Sequence, residues 1–559
     1  MRVVWSCKHV LPVRDEMSNC CIPFSFLFGL YLVQGTPSQS TSNTSSSVDV
    51  FTSVEQLKGL SRLESFLSHL LDEYVNGKYH NDALQVVKDF SSEMKKIQKA
   101  KELVGLDAFI GHPSNVFLLV RRFIKHWTEL SNYLNKGSEN ELQRILKENK
   151  PSFPSSRDLL GCATALLRIQ DIYQFPAKQI AKGHLNTNDQ GPKLGADECF
   201  DLGYAAHTWK YFDLARDWLK ETLLRMSQEY GYKGVLKRTR VLEYLAWAEY
   251  QTGNLPEAIK HTQSILERKP RHKKAIEALK SYKAQLKYRQ TYINNLDARS
   301  QANNRENQKD EAFKAYERLC RGKIIQGQPE EKLSCFYKTD DPQLVLKPAK
   351  IELVSIEPEI QILLEAITEK EIQEFKKMAK PKLIRIQAMN SSVAGENLYT
   401  DYRTSRSVWL EDRDAKPIVT LNKRLEAITG LSLDSKHSEL LQVVNYGSGG
   451  HDGPHHDYLK VANNPSFTAK HRNRMATVLL YMSDVSAGGA TVFIEPEVIV
   501  YPEKGSAVFW YNFLKSGQLD KRTTHGSCPV IIGSKWVANK WVLERGQGVT
   551  RPCGLEQDE

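Results

Sequence analysis

The sequence predicts a multidomain α + β protein: an N-terminal helical region, a helical repeat module, and a C-terminal antiparallel sandwich or barrel. Three observations carry that prediction. Leu57, Leu60, Leu63, Phe66, Leu67, Leu70 and Leu71 recur at spacings of three and four, the period of an amphipathic helix with a wide apolar face. Between residues 196 and 283 one pattern occurs twice: Leu202-Gly203 is followed by Ala215, and Leu245-Ala246 by Ala258, with an offset of 43 residues. From about residue 350 the texture changes to short β-rich runs, LLQVVNY, MATVLLYM, ATVF, SAVFWYN, PVIIG and KWVANKWVL, separated by Gly, Pro, Asp and Asn. Such spacing fits antiparallel strands. At 559 residues the chain exceeds what one core supports, so several domains are expected.

Composition narrows the class. Hydrophobic content of 41% and charged content of 26% are those of a soluble globular protein. The net charge of +11 is modest for this length. The basic run Arg268–Lys274 reads as a solvated helix end, and with no nucleic-acid motif beside it the sequence predicts no nucleic-acid partner.

Residues 20–33, CCIPFSFLFGLYLV, are apolar but short for a membrane span; they suit a signal-peptide core within residues 1–35. Met17, directly upstream, is an alternative start. The Ser/Thr-rich stretch 36–47 follows. No later segment predicts a stable membrane span, so the expected compartment is the secretory lumen. Asn43 and Asn390 each begin an Asn-x-Ser acceptor pattern for N-glycosylation. Six of the nine cysteines follow the leader. Cys162 and Cys199 lie in helical patterns and read as buried thiols. Cys320 and Cys335 are close in sequence, and Cys528 and Cys553 flank the last structured segment; two disulfides fit an oxidising lumen.

Residues 36–185 are expected to be a helical domain, suited to bundle packing or to a partner helix. Residues 190–290 form a tetratricopeptide-like module, its period lengthened by an insertion at 227–236. Tyr244, Trp247 and Tyr250 lie at i, i+3 and i+6 of one helix. Core packing is the plainer reading of that stripe. The sharper one is a groove for a Pro-rich peptide, whose preformed extended conformation costs little entropy to bind. Polar residues 291–350 read as a helical connector, and residues 351–559 as the strand-rich domain.

Within "GPHHDYLK" (453–460), strand alternation places His455 and Asp457 on one face and His456 on the other. His525, 68 residues beyond Asp457 and just before a strand, is the best third ligand. Two imidazoles and a carboxylate, with other positions open, suit non-haem Fe(II). Ten residues further on, Lys535 would be costly inside a barrel unless it met an anion, and the far carboxylate of 2-oxoglutarate is the expected one. His451 and His471 lack strand-alternation support and read as solvated or loop residues.

The motifs "NYGSGGHDGPHHD", "YMSDVSAGGATVF", "KGSAVFWYN" and "THGSCPVIIGSKWVANKWVLERGQ" resemble the alpha subunit of collagen prolyl 4-hydroxylase. The resemblance is dense over about 395–555, fair through "DECFDLG" and "EYLAWAEYQTGNLPEAI", and looser through "GHPSNVFLLVRRF". It implies a double-stranded β-helix (jelly-roll) catalytic domain with its core at about 437–546. It implies iron ligands His455, Asp457 and His525, a 2-oxoglutarate lysine at Lys535, and pocket positions at Tyr446, Thr491 and Trp541. It implies the disulfides Cys320–Cys335 and Cys528–Cys553, and a peptide-binding role for Tyr244, Trp247 and Tyr250. The implied activity is 4-hydroxylation of peptidyl proline in procollagen-like X-Pro-Gly sequences, with O2 and 2-oxoglutarate as cosubstrates and L-ascorbate as the agent that restores over-oxidised iron. The implied assembly is an α2β2 tetramer with a second alpha chain and protein disulfide isomerase as beta subunit, in the endoplasmic reticulum lumen; the terminal LEQDE is not a retention signal, and retention through the partner would explain that. Two departures stand out. Asp452 occupies a position where the family usually keeps Tyr, and Leu543 one where it commonly keeps His. They leave two alternatives to an active collagen hydroxylase: an oxygenase for another proline-rich peptide, or a non-catalytic peptide-binding subunit.

Overall fold

A computed structural model of the chain describes residues 50–77, 85–135, 140–185, 191–228, 236–292, 309–325, 333–385, 404–459 and 473–556. The leader, Asn43, Asn390 and His471 lie outside these residues. The described chain divides into two units, one of residues 46–205 with 311–559 and the other of residues 206–310.

The N-terminal helices are α1 (Val54–Asn76), α2 (Gln85–Val104), α3 (Leu106–Gly111), α4 (Pro113–Arg122), α5 (Thr128–Leu134), α6 (Glu141–Asn149), α7 (Ser156–Tyr173) and α8 (Ala177–Ala181). Helix α1 buries Leu57, Leu60, Leu67, Leu70 and Leu71, the stripe its periodicity predicts, although Phe66 stays exposed. Helix α7 is opened by a capping box in which Ser155 and Asp158 satisfy each other's backbone N–H groups. Cys162 within it is a buried thiol outside any disulfide.

The repeat module follows α9 (Ala196–Thr208) as α10 (Phe212–Gln228), α11 (Arg238–Gln251), α12 (Leu255–Arg268) and α13 (Lys273–Tyr292). The small residues of the repeat, Ala215, Ala246 and Ala258, are buried where consecutive helices pack. Their size lets the helix backbones approach closely.

The predicted connector holds more than helix. Helix α14 (Glu311–Cys320) is followed by strand β1 (Ser334–Lys338). That strand is mostly exposed, and as the edge of its sheet it needs no apolar alternation to declare it.

The strand-rich region comprises β2 (Ala349–Ser355), β3 (Ile360–Leu364), β4 (Ile384–Arg385), β5 (Arg406–Leu410), β6 (Leu441–Tyr446), β7 (Asp452–His455), β8 (Arg474–Tyr481), β9 (Ala487–Gly488), β10 (Thr491–Phe493), β11 (Val498–Val500), β12 (Ala507–Tyr511), β13 (His525–Ser527), β14 (Val530–Ile532) and β15 (Lys535–Leu543). All six β-rich runs singled out in the sequence are strands. The large antiparallel sheet has the order β1-β2-β3-β12-β8-β15-β6-β5-β4, and a smaller one the order β11-β10-β13-β7. Val444, Tyr481, Phe493, Val508, Trp510 and Val537 fill the space between them, as in a jelly roll. Helices α15 (Glu369–Ala379) and α16 (Lys416–Thr429) cover the outer face of the large sheet.

The outer face of the small sheet is covered by α7 and α14: Ile172, Phe313, Tyr316 and Leu319 pack on Ala490, Val492 and Cys528. The contact is also polar. Arg168 donates to the Gly449 carbonyl (2.9 Å), Tyr173 to that of Pro529 (2.7 Å) and Tyr316 to that of Ser527 (2.9 Å). Gly449 takes a positive φ of 70°, and a Cβ there would stand 2.7 Å from that of Ala165; glycine satisfies both demands.

The disulfide corrects the pairing implied by resemblance. Cys320 is bonded to Cys528; Cys335 and Cys553 are exposed thiols. The reason is topological. Helix α14 lies on the small sheet and brings Cys320 to the residue just after β13, while Cys335 leaves on the edge strand β1. Sequence proximity misleads because the bond joins residues 208 apart.

Candidate metal and cosubstrate site

The site lies between the two sheets. His455 ends β7 and His525 begins β13, and the two are direct cross-strand partners. Opposed side chains share a face, and the two imidazole centroids are 4.4 Å apart. Asp457 comes from the bend after β7 rather than from the strand itself. Its Oδ1 is 3.8 Å from His455 Nε2, and its Oδ2 is 3.9 Å from His525 Nε2. Ligand atoms of these three residues lie within 4.8 Å of one another.

Each side chain is aimed by a second contact. His455 Nδ1 is 2.8 Å from the Gly453 carbonyl, and His525 Nδ1 is 3.0 Å from that of Thr523. A carbonyl can only accept, so both Nδ1 atoms carry the proton and both Nε2 lone pairs face inward. Thr477 donates to Asp457 Oδ2 at 2.8 Å, and Asn512 donates to Thr477 at 3.0 Å. Trp510 Nε1 donates to Asn512 at 2.9 Å and so fixes the amide. Burial works against the Asp457 charge, but His525, His455 and Arg474 outweigh it and hold the carboxyl at about 2. Burial, aided by His455, takes His525 down to about 4, leaving a neutral imidazole. Two imidazoles that present Nε2 and an ionised carboxylate fit a divalent cation with positions to spare.

At the other end of the cavity, Lys535 is 1% exposed and begins β15, opposite Tyr446. Its Nζ donates to Ser527 Oγ at 2.8 Å and to Thr491 Oγ1 at 3.4 Å. The rings of Tyr446 and Tyr481 each lie 5.6 Å away. Burial pulls the ammonium down to about 7, against the charge of Asp452. A cation among hydroxyls and rings is a cradle for an anion, and it suits the far carboxylate of a dicarboxylic acid.

The cavity between the two ends has a volume of about 260 Å³. Tyr446, Thr491 and Trp541, all expected pocket residues, line it. His456 does too, so it is not turned fully away: its ring stacks on Tyr458 (4.6 Å) at the rim, because the strand has ended and alternation no longer applies. His451, expected to be solvated, is 2% exposed, with Nδ1 2.8 Å from Thr404 Oγ1. Arg474, Thr477 and Ser527 were not anticipated. A small hydroxyl side chain in the apolar run MATVLLYM was the legible signal for Thr477. Arg474 lies over the Trp541 ring at 3.8 Å and pairs with Glu439 through two contacts of 2.5 and 2.9 Å.

In the other unit Trp247 and Tyr250 meet at 5.4 Å, while Tyr244 packs elsewhere. Tyr244 meets His207 edge-on at 4.9 Å, Tyr250 stacks on Tyr282 at 4.7 Å, and Trp247 is 41% exposed. The three are therefore not a closed core.

Residues 53–187 match the family model described as the prolyl 4-hydroxylase alpha-subunit N-terminal region. Residues 196–288 match the prolyl 4-hydroxylase peptide-substrate-binding domain, and residues 441–543 the 2OG-Fe(II) oxygenase superfamily. The chain is 35% identical to prolyl 4-hydroxylase subunit alpha-1 of Homo sapiens, covering 91% of this chain and 96% of that one. It belongs to the prolyl 4-hydroxylase alpha-subunit family. Within the family, subunits alpha-1 and alpha-2 of Caenorhabditis elegans are 33% and 34% identical, again over 91% of this chain. Family and domain make the chain a 2-oxoglutarate- and Fe(II)-dependent dioxygenase. Of the two departures, Asp452 lines the cavity. Leu543 is buried opposite Arg474, across a register shift at the end of β15, and does not line it.

Proposed function

We propose that the chain is the catalytic alpha subunit of a procollagen-proline 4-dioxygenase. The observation that carries this reading is a single cavity with a His-Asp-His donor cluster at one end and a buried lysine at the other. Iron and 2-oxoglutarate, with O2, supply the oxidising chemistry: 2-oxoglutarate is decarboxylated to succinate and CO2 as a hydroxyl is placed on C4 of a peptidyl proline.

His455, Asp457 and His525 hold the metal on one side, and Lys535 with Thr491 and Ser527 orients the cosubstrate through its far carboxylate. Tyr446 and Tyr481 keep water from that end. Trp541, beside Arg474, forms the wall nearest the entering proline. In the repeat module Trp247 offers an exposed ring, and Tyr244 and Tyr250 offer half-buried ones, to a polyproline-like segment. L-Ascorbate fits as the reductant for over-oxidised metal. Protein disulfide isomerase and a second alpha chain fit as partners of an α2β2 assembly in the endoplasmic reticulum lumen, reached through the leader at 1–35, with Asn43 and Asn390 as glycan acceptors.

The test uses the chain co-expressed with the isomerase. Polyproline should bind with micromolar to millimolar affinity, and Tyr244→Ala should weaken it by about 1–2 kcal/mol, the loss of one aromatic contact, while leaving the KM for 2-oxoglutarate unchanged. Equal polyproline binding by both proteins would return the stripe to a packing role.

A further inference from the structure

Asp452 lies in the cavity without belonging to the donor cluster. It begins β7, is 7% exposed, and lines the same space as the metal and lysine ends. Its Oδ1 is 3.9 Å from His455 Nδ1. Across the strand pair its partner is Ser527, whose hydroxyl receives the Lys535 ammonium at 2.8 Å. Opposed residues present their side chains on one face, so Asp452 and Ser527 share the cavity-facing side of the strand pair, with the carboxylate in the same small cavity as the lysine. Its charge acts on Lys535 and also on His525.

The physical consequence is a competition. A buried ammonium is costly without an anion nearby, and Asp452 supplies one before any ligand arrives. A dicarboxylate entering the cavity brings its far carboxylate to the same ammonium, and two carboxylates then face each other in a space poor in water. Like charges so placed oppose binding.

We propose that Asp452 is a specificity-determining residue, a resident counter-ion of Lys535 with which the far carboxylate of the 2-oxo acid must compete. The inference rests on the reading of Lys535 given under the proposed function. The pocket accordingly takes 2-oxoglutarate more weakly than its lysine alone would allow. It also separates dicarboxylic from monocarboxylic 2-oxo acids less sharply.

The experiment is an equilibrium titration of the co-expressed complex, loaded with Mn(II) and without O2. Titrations at about pH 6 lie below the Lys535 transition of the intact site, where its ammonium is charged; loss of Asp452 lowers that transition, so the variants are also titrated at a second, lower pH. Two ligands are compared, 2-oxoglutarate and 2-oxopentanoate, which has the same carbon chain without the far carboxylate. Asp452→Asn should tighten 2-oxoglutarate by about fivefold or more and leave 2-oxopentanoate within about twofold. Asp452→Ser should repeat the gain, and Asp452→Glu, which keeps the charge, should not show it. Unchanged or weaker 2-oxoglutarate binding in both neutral variants would overturn the inference. So would an equal gain for both ligands, which would mark a steric effect. A metal-loaded wild-type complex that binds no 2-oxoglutarate would overturn the parent reading, an outcome visible before any variant is compared.

Discussion

The two ends of the cavity are built on opposite principles. At the metal end every donor is already aimed: two Nδ1 atoms face backbone carbonyls, and a chain of side chains, Trp510, Asn512 and Thr477, leads to Asp457. At the lysine end a cation is buried among hydroxyls and aromatic rings, and Asp452 acts on it through its charge across the cavity. The first end is preorganised for a cation and needs little rearrangement. The second holds a charge whose proper partner is the ligand. Metal binding should therefore depend on geometry, and cosubstrate binding on charge.

The largest effect that would break this contrast is at the triad. His455→Ala should abolish metal binding and peptide-dependent turnover, whereas His456→Ala, on the rim, should keep most of both; equal losses would refute the assignment. Next is Lys535→Ala, which should raise the KM for 2-oxoglutarate by roughly 30-fold or more, the cost of removing one partner of a buried charge pair. Metal affinity, measured by equilibrium dialysis, should barely move.

The pH dependence sharpens the same point. Lys535 in the ligand-free site titrates at about 7, and a bound carboxylate raises it. Below about pH 7 this group leaves 2-oxoglutarate affinity flat. Above it, each binding event must take up a proton, so affinity falls by up to tenfold per unit until the ligand-bound value is reached. Affinity rising between pH 7 and about 9 would contradict the account. The smallest effect is Thr477→Val, which removes one hydrogen bond to the Asp457 carboxylate. It should weaken metal binding by about tenfold with the 2-oxoglutarate KM of the metal-saturated protein nearly unchanged.

How legible each end was follows from its physics. The metal triad and Lys535 could be read because they sit in or beside strands whose apolar runs are unmistakable, so their spacing had meaning. Strand alternation pairs 455 with 457, and the structure brings these two together although β7 stops at His455. Alternation therefore failed for His456, which turns to the rim. His451 was misread because nothing local announces burial; it is enclosed by Thr404, 47 residues away in sequence. The Cys320–Cys528 bond escaped for the same reason, since only the packing of α14 on the small sheet brings the two together. Residues 46–205 pack in one unit with the strands, and Arg168 and Tyr173 brace the loops beside β7 and β14. Periodicity shows that a helix has an apolar face, not what the face will meet.

The central claim is tested most directly by release of CO2 from labelled 2-oxoglutarate by the iron-loaded complex, with and without a (Pro-Pro-Gly)-type peptide, alongside assay of 4-hydroxyproline. The account predicts peptide-dependent CO2 release matched mole for mole by hydroxyproline. A complex that binds iron, 2-oxoglutarate and peptide yet shows no peptide-dependent turnover would contradict it and mark the chain as a non-catalytic peptide-binding subunit.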